Sequence, residues 1–282
     1  MRTTTALAMA AGMILVQCKD QAKESAQRAA ANADDLAALV DKDVGEVERG
    51  MPEGAQKLGE LYAKGADPRQ DVPSVRQALL RTTREVPDLN IAKSTFFALA
   101  DDKGVGIRNN LEQDAMAGQD LLKLFPALSK ALEGAYIETT GSFGTPPGPL
   151  GPDKDWIAAM PVKNDQGKVS GLFVTGWSYR RFAAHLQEVL KSRFQEALRK
   201  SGDTGKMPVF YVCVFDASGV YCERTTPKVN EQALIDAKLV DKTATAPVQG
   251  VLTITERDFG YAARRTPKLG ENTGIVVLRS EL

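Results

Sequence analysis

Arg108, Asp114, Tyr136 and Trp156 are the side chains of this 282-residue chain best suited to holding a small molecule. A guanidinium such as that of Arg108 meets a carboxylate through two parallel hydrogen bonds. Asp114 can accept from an amine, and Tyr136 and Trp156 offer flat apolar faces with a polar edge. Each has a plain alternative: Arg108 as a surface cation, Asp114 as an acid at a helix start, Tyr136 and Trp156 as core. Side chains for catalysis are sparse. His185, the only histidine, falls in a helical stretch between Phe182 and Val189. One histidine and three cysteines do not assemble the usual zinc ligand set once two of the cysteines pair. There is no Gly-x-Ser-x-Gly elbow or P-loop, and Gly104-Val105-Gly106 lacks the third glycine of a dinucleotide fingerprint. The expectation is a protein with no catalytic residues, no metal and no cofactor.

Two of the three cysteines sit in a local pattern. Cys213 and Cys222 flank Asp216-Ala217-Ser218-Gly219, a turn between the strand-like runs Val209–Phe215 and Val220–Thr225. A turn symmetric about Ala217 and Ser218 sets the two cysteines opposite each other. Opposed strand residues have Cα atoms about 4.5–5.5 Å apart, within disulfide range. A cross-strand disulfide is the first expectation; two buried thiols acting as small apolar residues is the other. The third, Cys18, follows a start made of Arg2 and the eleven-residue apolar run Ala6–Val16, about half of what spans a bilayer. Leu15-Val16-Gln17-Cys18 resembles a bacterial lipoprotein lipobox, with Gln17 departing from its small-residue rule. That resemblance implies a signal peptide over residues 1–18, lipid on Cys18, and a periplasmic or outer-membrane-anchored protein. A plain cleaved signal and an uncleaved anchor are the alternatives.

Thirty-six basic and thirty-six acidic residues cancel, and no basic run breaks the balance, so a nucleic-acid partner is not expected. Residues 19–90 read as helical. Ala22, Ala26, Ala29, Ala33, Leu36, Val40, Val44 and Val47 recur at helical spacing, with Gly50-Met51-Pro52 expected to end the helix. Further helices are expected over 55–64 and 74–85. A strand over 95–100, an Asp-rich turn and a returning strand over 105–108 come next. A helix over 113–132 and a strand over 135–140 follow. Gly141–Pro152, with four glycines and four prolines, breaks regular structure, and is either a pocket cover or a plain surface loop. The hairpin Trp156–Val162 and Val169–Trp177 turns at Asn164-Asp165-Gln166-Gly167. Along its second strand Val169, Gly171, Phe173, Thr175 and Trp177 face one way, and Ser170, Leu172, Val174 and Gly176 the other. After a helix over 179–200 and a linker over 201–206, residues 207–282 restart the pattern in shorter form.

The FFALADDKG turn at Phe96–Gly104 and the WIAAMPV…GLFVTGWS hairpin, in this strand order, resemble Cache domains, the extracytoplasmic PAS-like sensors. The resemblance covers 93–179 well and 209–278 more weakly. It implies an α+β fold: N-terminal long helices, a Cache-like antiparallel-sheet domain over 91–180, a connecting segment over 181–206, and a second, smaller PAS-like unit over 207–282. One large mixed sheet is the alternative. Family pockets lie between sheet and covering helix, which here brings in Arg108, Asp114, Tyr136 and Trp156. The implied function is small-molecule binding in a sensory or accessory module, the ligand class left open with amino acids and organic acids as candidates, and with an envelope or signalling protein as partner. The competing expectation is a structural or interaction lipoprotein that has kept the scaffold without a ligand.

Overall fold

The computed structural model describes residues 5–144, 152–202 and 206–281, and of residues 5–20 the backbone alone. Residues 145–151, within the expected cover loop, and 203–205, within the expected linker, lie outside it, as do the expected signal peptide's side chains, Cys18 included. The chain divides into two compact units. One comprises Val40–Arg181 with Lys268–Gly270 and holds the first sheet. The other comprises Met1–Leu39, Phe182–Pro267 and Glu271–Leu282 and holds the second.

The helix α1 (Thr5–Leu58) is 54 residues long and contributes to both units. Its small-residue stripe is buried throughout, from Ala22 to Val47, and continues through Met51 and Leu58, both fully buried. Gly50 and Pro52 therefore do not end it. Proline inside a helix costs a hydrogen bond, but here the following turn is held by packing. A Cβ on Gly54 would come within 2.6 Å of the Phe173 ring, and one on Gly50 within 2.7 Å of Leu89. The chain then tightens into a 3-10 segment, Gly59–Gly65, where a second helix was expected. Helices α2 (Val72–Glu85) and α3 (Pro87–Ile91) follow, Asp71 capping the first by accepting from Ser74 N.

The first sheet contains β1 (Phe96–Asp101) and β2 (Gly106–Asn109) before α4 (Leu121–Leu124) and α5 (Ser129–Leu132). Then come β3 (Ile137–Gly141), β4 (Asp155–Lys163) and β5 (Val169–Ser178), leading into α6 (Tyr179–Ser201). The expected helix over 113–132 is instead a looped stretch followed by α4, a 3-10 turn and α5. Gly118 has φ +76, Asp114 draws in the amides of Met116 and Ala117, and Pro126 cannot donate to a continuing helix. Strand order is β2-β1-β5-β4-β3, every pairing antiparallel. The alternation read from the hairpin holds. Leu172 and Val174 join Ala98, Ala100, Ile157 and Ala159 in a core closed by Met116, Leu121, Phe125 and Leu128. Phe173 faces the opposite way, toward Gly54 of α1.

The second sheet repeats that arrangement. Strands β6 (Val209–Asp216) and β7 (Gly219–Cys222) precede helices α7 (Lys228–Asp236) and α8 (Leu239–Lys242). Strands β8 (Val248–Ile254), β9 (Arg257–Arg265) and β10 (Gly274–Ser280) complete the order β7-β6-β10-β9-β8. It is the first sheet's order again, in a separate antiparallel sheet, so a single mixed sheet is excluded. Even the turn chemistry recurs. Asp101 accepts from the amides of Lys103 and Val105, each at 2.9 Å, and Asp216 from Ser218 at 2.7 Å and Gly219 at 3.2 Å. Cys213 and Cys222 are directly opposed, 4.1 Å apart at Cα, and joined by a disulfide inside the second core.

Candidate ligand-binding site

The four residues singled out by type do not converge. Arg108, on β2, ion-pairs with Asp114 at 3.0 Å, their side chains only 15% and 9% exposed. Its guanidinium also donates to the Leu111 carbonyl at 2.9 Å. The pair thus closes the 109–116 loop and spends its charges on each other. Trp156 is buried and stacks on its cross-strand partner Trp177, ring centroids 4.3 Å apart. Its indole N–H donates to the Lys268 carbonyl. Through Trp177 and Phe173 it shares the sheet face turned to α1, away from α4 and α5.

Tyr136, just before β3, donates its hydroxyl to Glu138 at 2.8 Å. Burial chiefly, then the Glu138 charge, raises the phenol's pKa. Glu138 is itself raised, first by burial and also by Glu48, while the Tyr136 hydrogen bond and Lys268 oppose the shift. His185 is half-buried beside the Phe182 ring. Among the described residues no group of three or more His, Cys, Asp or Glu is placed to hold a metal ion.

A different constellation lies on the face covered by α4 and α5. Strand alternation puts Asp155 on the side of Ile157 and Ala159, between Gly141 of β3 and Ser178 of β5. Its carboxylate accepts a single hydrogen bond among the described residues, from Phe143 N at 3.3 Å, although a carboxylate offers about four lone-pair sites. Burial pushes it up to about 7, the Phe143 amide opposing the shift and the nearby Asp153 adding to it. The Phe143 side chain joins a cluster of three rings. Phe143 meets Phe125 edge-on at 4.9 Å and Phe96 at 5.7 Å. Gly141 lets the Phe125 ring in, for a Cβ there would lie 2.6 Å from it. The Ser94 hydroxyl is buried and has no hydrogen-bond partner.

Asp155 and the phenylalanines escape sequence reasoning because each resembles a strand or loop terminus. The available signal is the two-residue period itself, which turns the first residue of the Asp155–Lys163 run inward. A groove of about 480 Å³ between the end of α1 and the β4–β5 turn, lined by Ala55, Gly59, Met160 and Pro161, carries its charges only on exposed side chains such as Glu60 and Lys163.

No protein-family model matches the chain, and no curated protein does. Solved structures do. The extracellular domain of a protein designated histidine kinase vpHK1S-Z8 superposes with a TM-score of 0.59 at 6% identity, over 93% of both chains. A domain of a sensory box/GGDEF family protein from Vibrio parahaemolyticus gives 0.55 at 8% identity, over 93% of this chain and 97% of that one. The periplasmic sensory domain of the Campylobacter jejuni chemoreceptor Tlp1 gives 0.49 at 12%, over 92% and 95%. At such identities the likeness is one of fold. With its long helix and two five-stranded antiparallel sheets, the chain has the α+β fold of these solved domains.

Proposed function

We propose that this chain is an exported small-molecule-binding module of Cache type, sensory or accessory, carried to the envelope by its N-terminal segment and anchored by lipid on Cys18. The observation that supports the reading is the largely buried Asp155 carboxylate, which accepts a single hydrogen bond among the described residues, from the amide of Phe143, whose ring meets those of Phe125 and Phe96. Buried polar groups are normally paired, and an apolar recess with a few unpaired polar groups is the usual form of a small-molecule site. Among the described residues no helix is long and apolar enough to cross a membrane, and the lipid would supply the attachment. Thermal-shift screening against amino acids, organic acids and amines tests the reading, since a bound ligand raises the melting temperature.

A second reading has its own support. Leu121, Phe125 and Leu128 on the covered face are fully buried by their own neighbours, as expected of a scaffold kept for protein interaction. In that case an envelope or signalling protein is the partner. Pull-down from envelope extracts, with and without residues 20–49, separates the two: loss of a partner on deletion, with no ligand response, favours the interaction protein.

A further inference from the structure

We propose that the second unit pairs with a second copy of this chain along the free edge of β8, the two strands running antiparallel about a two-fold axis at Val251. This edge belongs to the second sheet and is independent of the ligand-binding reading.

The outer strands of the two sheets, β2, β3, β7 and β8, are not alike. Proteins blunt such edges by shortness, charge or a covering segment, because a row of free N–H and C=O groups recruits another strand. β2 is covered by its own loop: Gly106 N donates to the Gln119 carbonyl, and Gly118 N to that of Gly106. β3 carries the charged Glu138, and β7 is only four residues long. β8 has none of these protections. Its seven residues, Val-Gln-Gly-Val-Leu-Thr-Ile, contain no charge and no proline, and Val251 at their centre is 40% exposed.

The turn that joins β8 to β9 fixes which backbone groups point outward. It has two residues, Thr255 and Glu256, both at positive φ. Such a turn closes on a hydrogen-bonded pair, here Ile254 and Arg257, after which hydrogen-bonded and non-hydrogen-bonded pairs alternate. The N–H and C=O groups of Thr253, Val251 and Gln249 therefore point away from β9. Among the described residues no other backbone group bonds to them.

The strand's own symmetry selects the occupant. Val251 lies midway between Pro247, which has no N–H to donate, and Thr255, where the turn begins. An antiparallel copy centred on Val251 ends its pairing at such a stop on both sides. Within that span Val251 meets Val251 of the second copy, Gln249 meets Thr253, and Val248 meets Ile254. Apolar opposes apolar, polar opposes polar, and no like charges meet. The outward N–H and C=O groups of Gln249, Val251 and Thr253 all find partners, because each faces another outward set. One patch serves both copies, the form of a closed two-fold dimer.

Sedimentation velocity of the purified full-length protein over a wide range of concentration tests the proposal. The expected result is a concentration-dependent dimer that Val251→Lys reduces to monomer, two ammonium groups then opposing each other across the axis. Val251→Pro should do the same without loss of a β8–β9 hydrogen bond, because the N–H it removes is the outward one. In a Cys18→Ala background, Val251→Cys should cross-link two copies under mild oxidation, opposed strand residues being within disulfide reach. Gln249→Cys, which faces Thr253 of the second copy, should not. Should the lysine and proline variants fail to fold, the contrast between the two cysteine variants decides. A dimer that survives Val251→Lys, or equal cross-linking of the two cysteine variants, overturns the proposal. So does a monomer at every concentration, which would leave the edge to an extended segment of another protein.

Discussion

Arg108 and Asp114 have the right groups to clamp an amino acid, and the fold uses them to clamp each other. Nothing in their spacing announces this, because the contact depends on a turn that replaces the expected helix. Removing one partner of a largely buried pair leaves a charge uncompensated. Arg108→Gln should therefore cost about 2–3 kcal/mol in chemical denaturation, and Arg108→Gln with Asp114→Asn clearly less than the sum of the two single changes. Asp155 makes a prediction of opposite kind. Its folded pKa, about 7, lies above the ordinary carboxyl value of 3.8. Its contribution to stability is therefore fully present below pH 4 and lost as pH rises toward 7, by up to about 4 kcal/mol before solvent screening. Thermal melts of the unliganded protein across this window should show a fall that Asp155→Asn removes. An identical pH profile in the variant would contradict the buried, under-satisfied carboxylate.

Among the elements, strands and turns were readable because their signals are local. The two Asp-anchored hairpins, the face alternation of β5 and the opposition of Cys213 to Cys222 all follow from short-range pattern and turn chemistry. What local pattern missed was decided by tertiary packing. Gly50 and Pro52 look like a helix end, yet α1 continues because Leu89 and Phe173 pack against the glycine positions. Gly260 of β9 shows the same constraint in the second unit, for a Cβ there would lie 2.1 Å from the Ala26 backbone nitrogen of α1. No side-chain rotation relieves a clash with backbone, so Gly260→Val should destabilise the second unit by about 3 kcal/mol or more. Lost protection of β9 amides in hydrogen exchange would register it. The disulfide closes a short loop, nine residues apart in sequence. Replacing both cysteines by serine should cost about 2–3 kcal/mol and abolish the Cys213–Cys222 cross-linked peptide in non-reducing mass spectrometry. Unchanged stability would show that the cross-link constrains nothing.

For the whole molecule, repeated strand order in two separate sheets makes the second unit a shorter echo of the first. The two matching Asp turns make that echo legible in the sequence without long-range information. Lipid attachment at Cys18 belongs to the proposed function. Lipid on Cys18 should appear as a mature N-terminus at that cysteine with a diacylglycerol-sized mass increment, and Cys18→Ala should release the protein from membranes. At this scale the proposed function puts a ligand on the covered face of the first sheet, and one measurement decides between it and a face filled by the protein's own core. Differential scanning fluorimetry of the purified protein against amines, amino acids and organic acids should find a compound that raises the melting temperature by about 5 °C at a hundredfold excess over its dissociation constant, with Phe143→Ala abolishing the shift. A flat response across all three classes would contradict the account and leave the scaffold as a docking surface for protein alone.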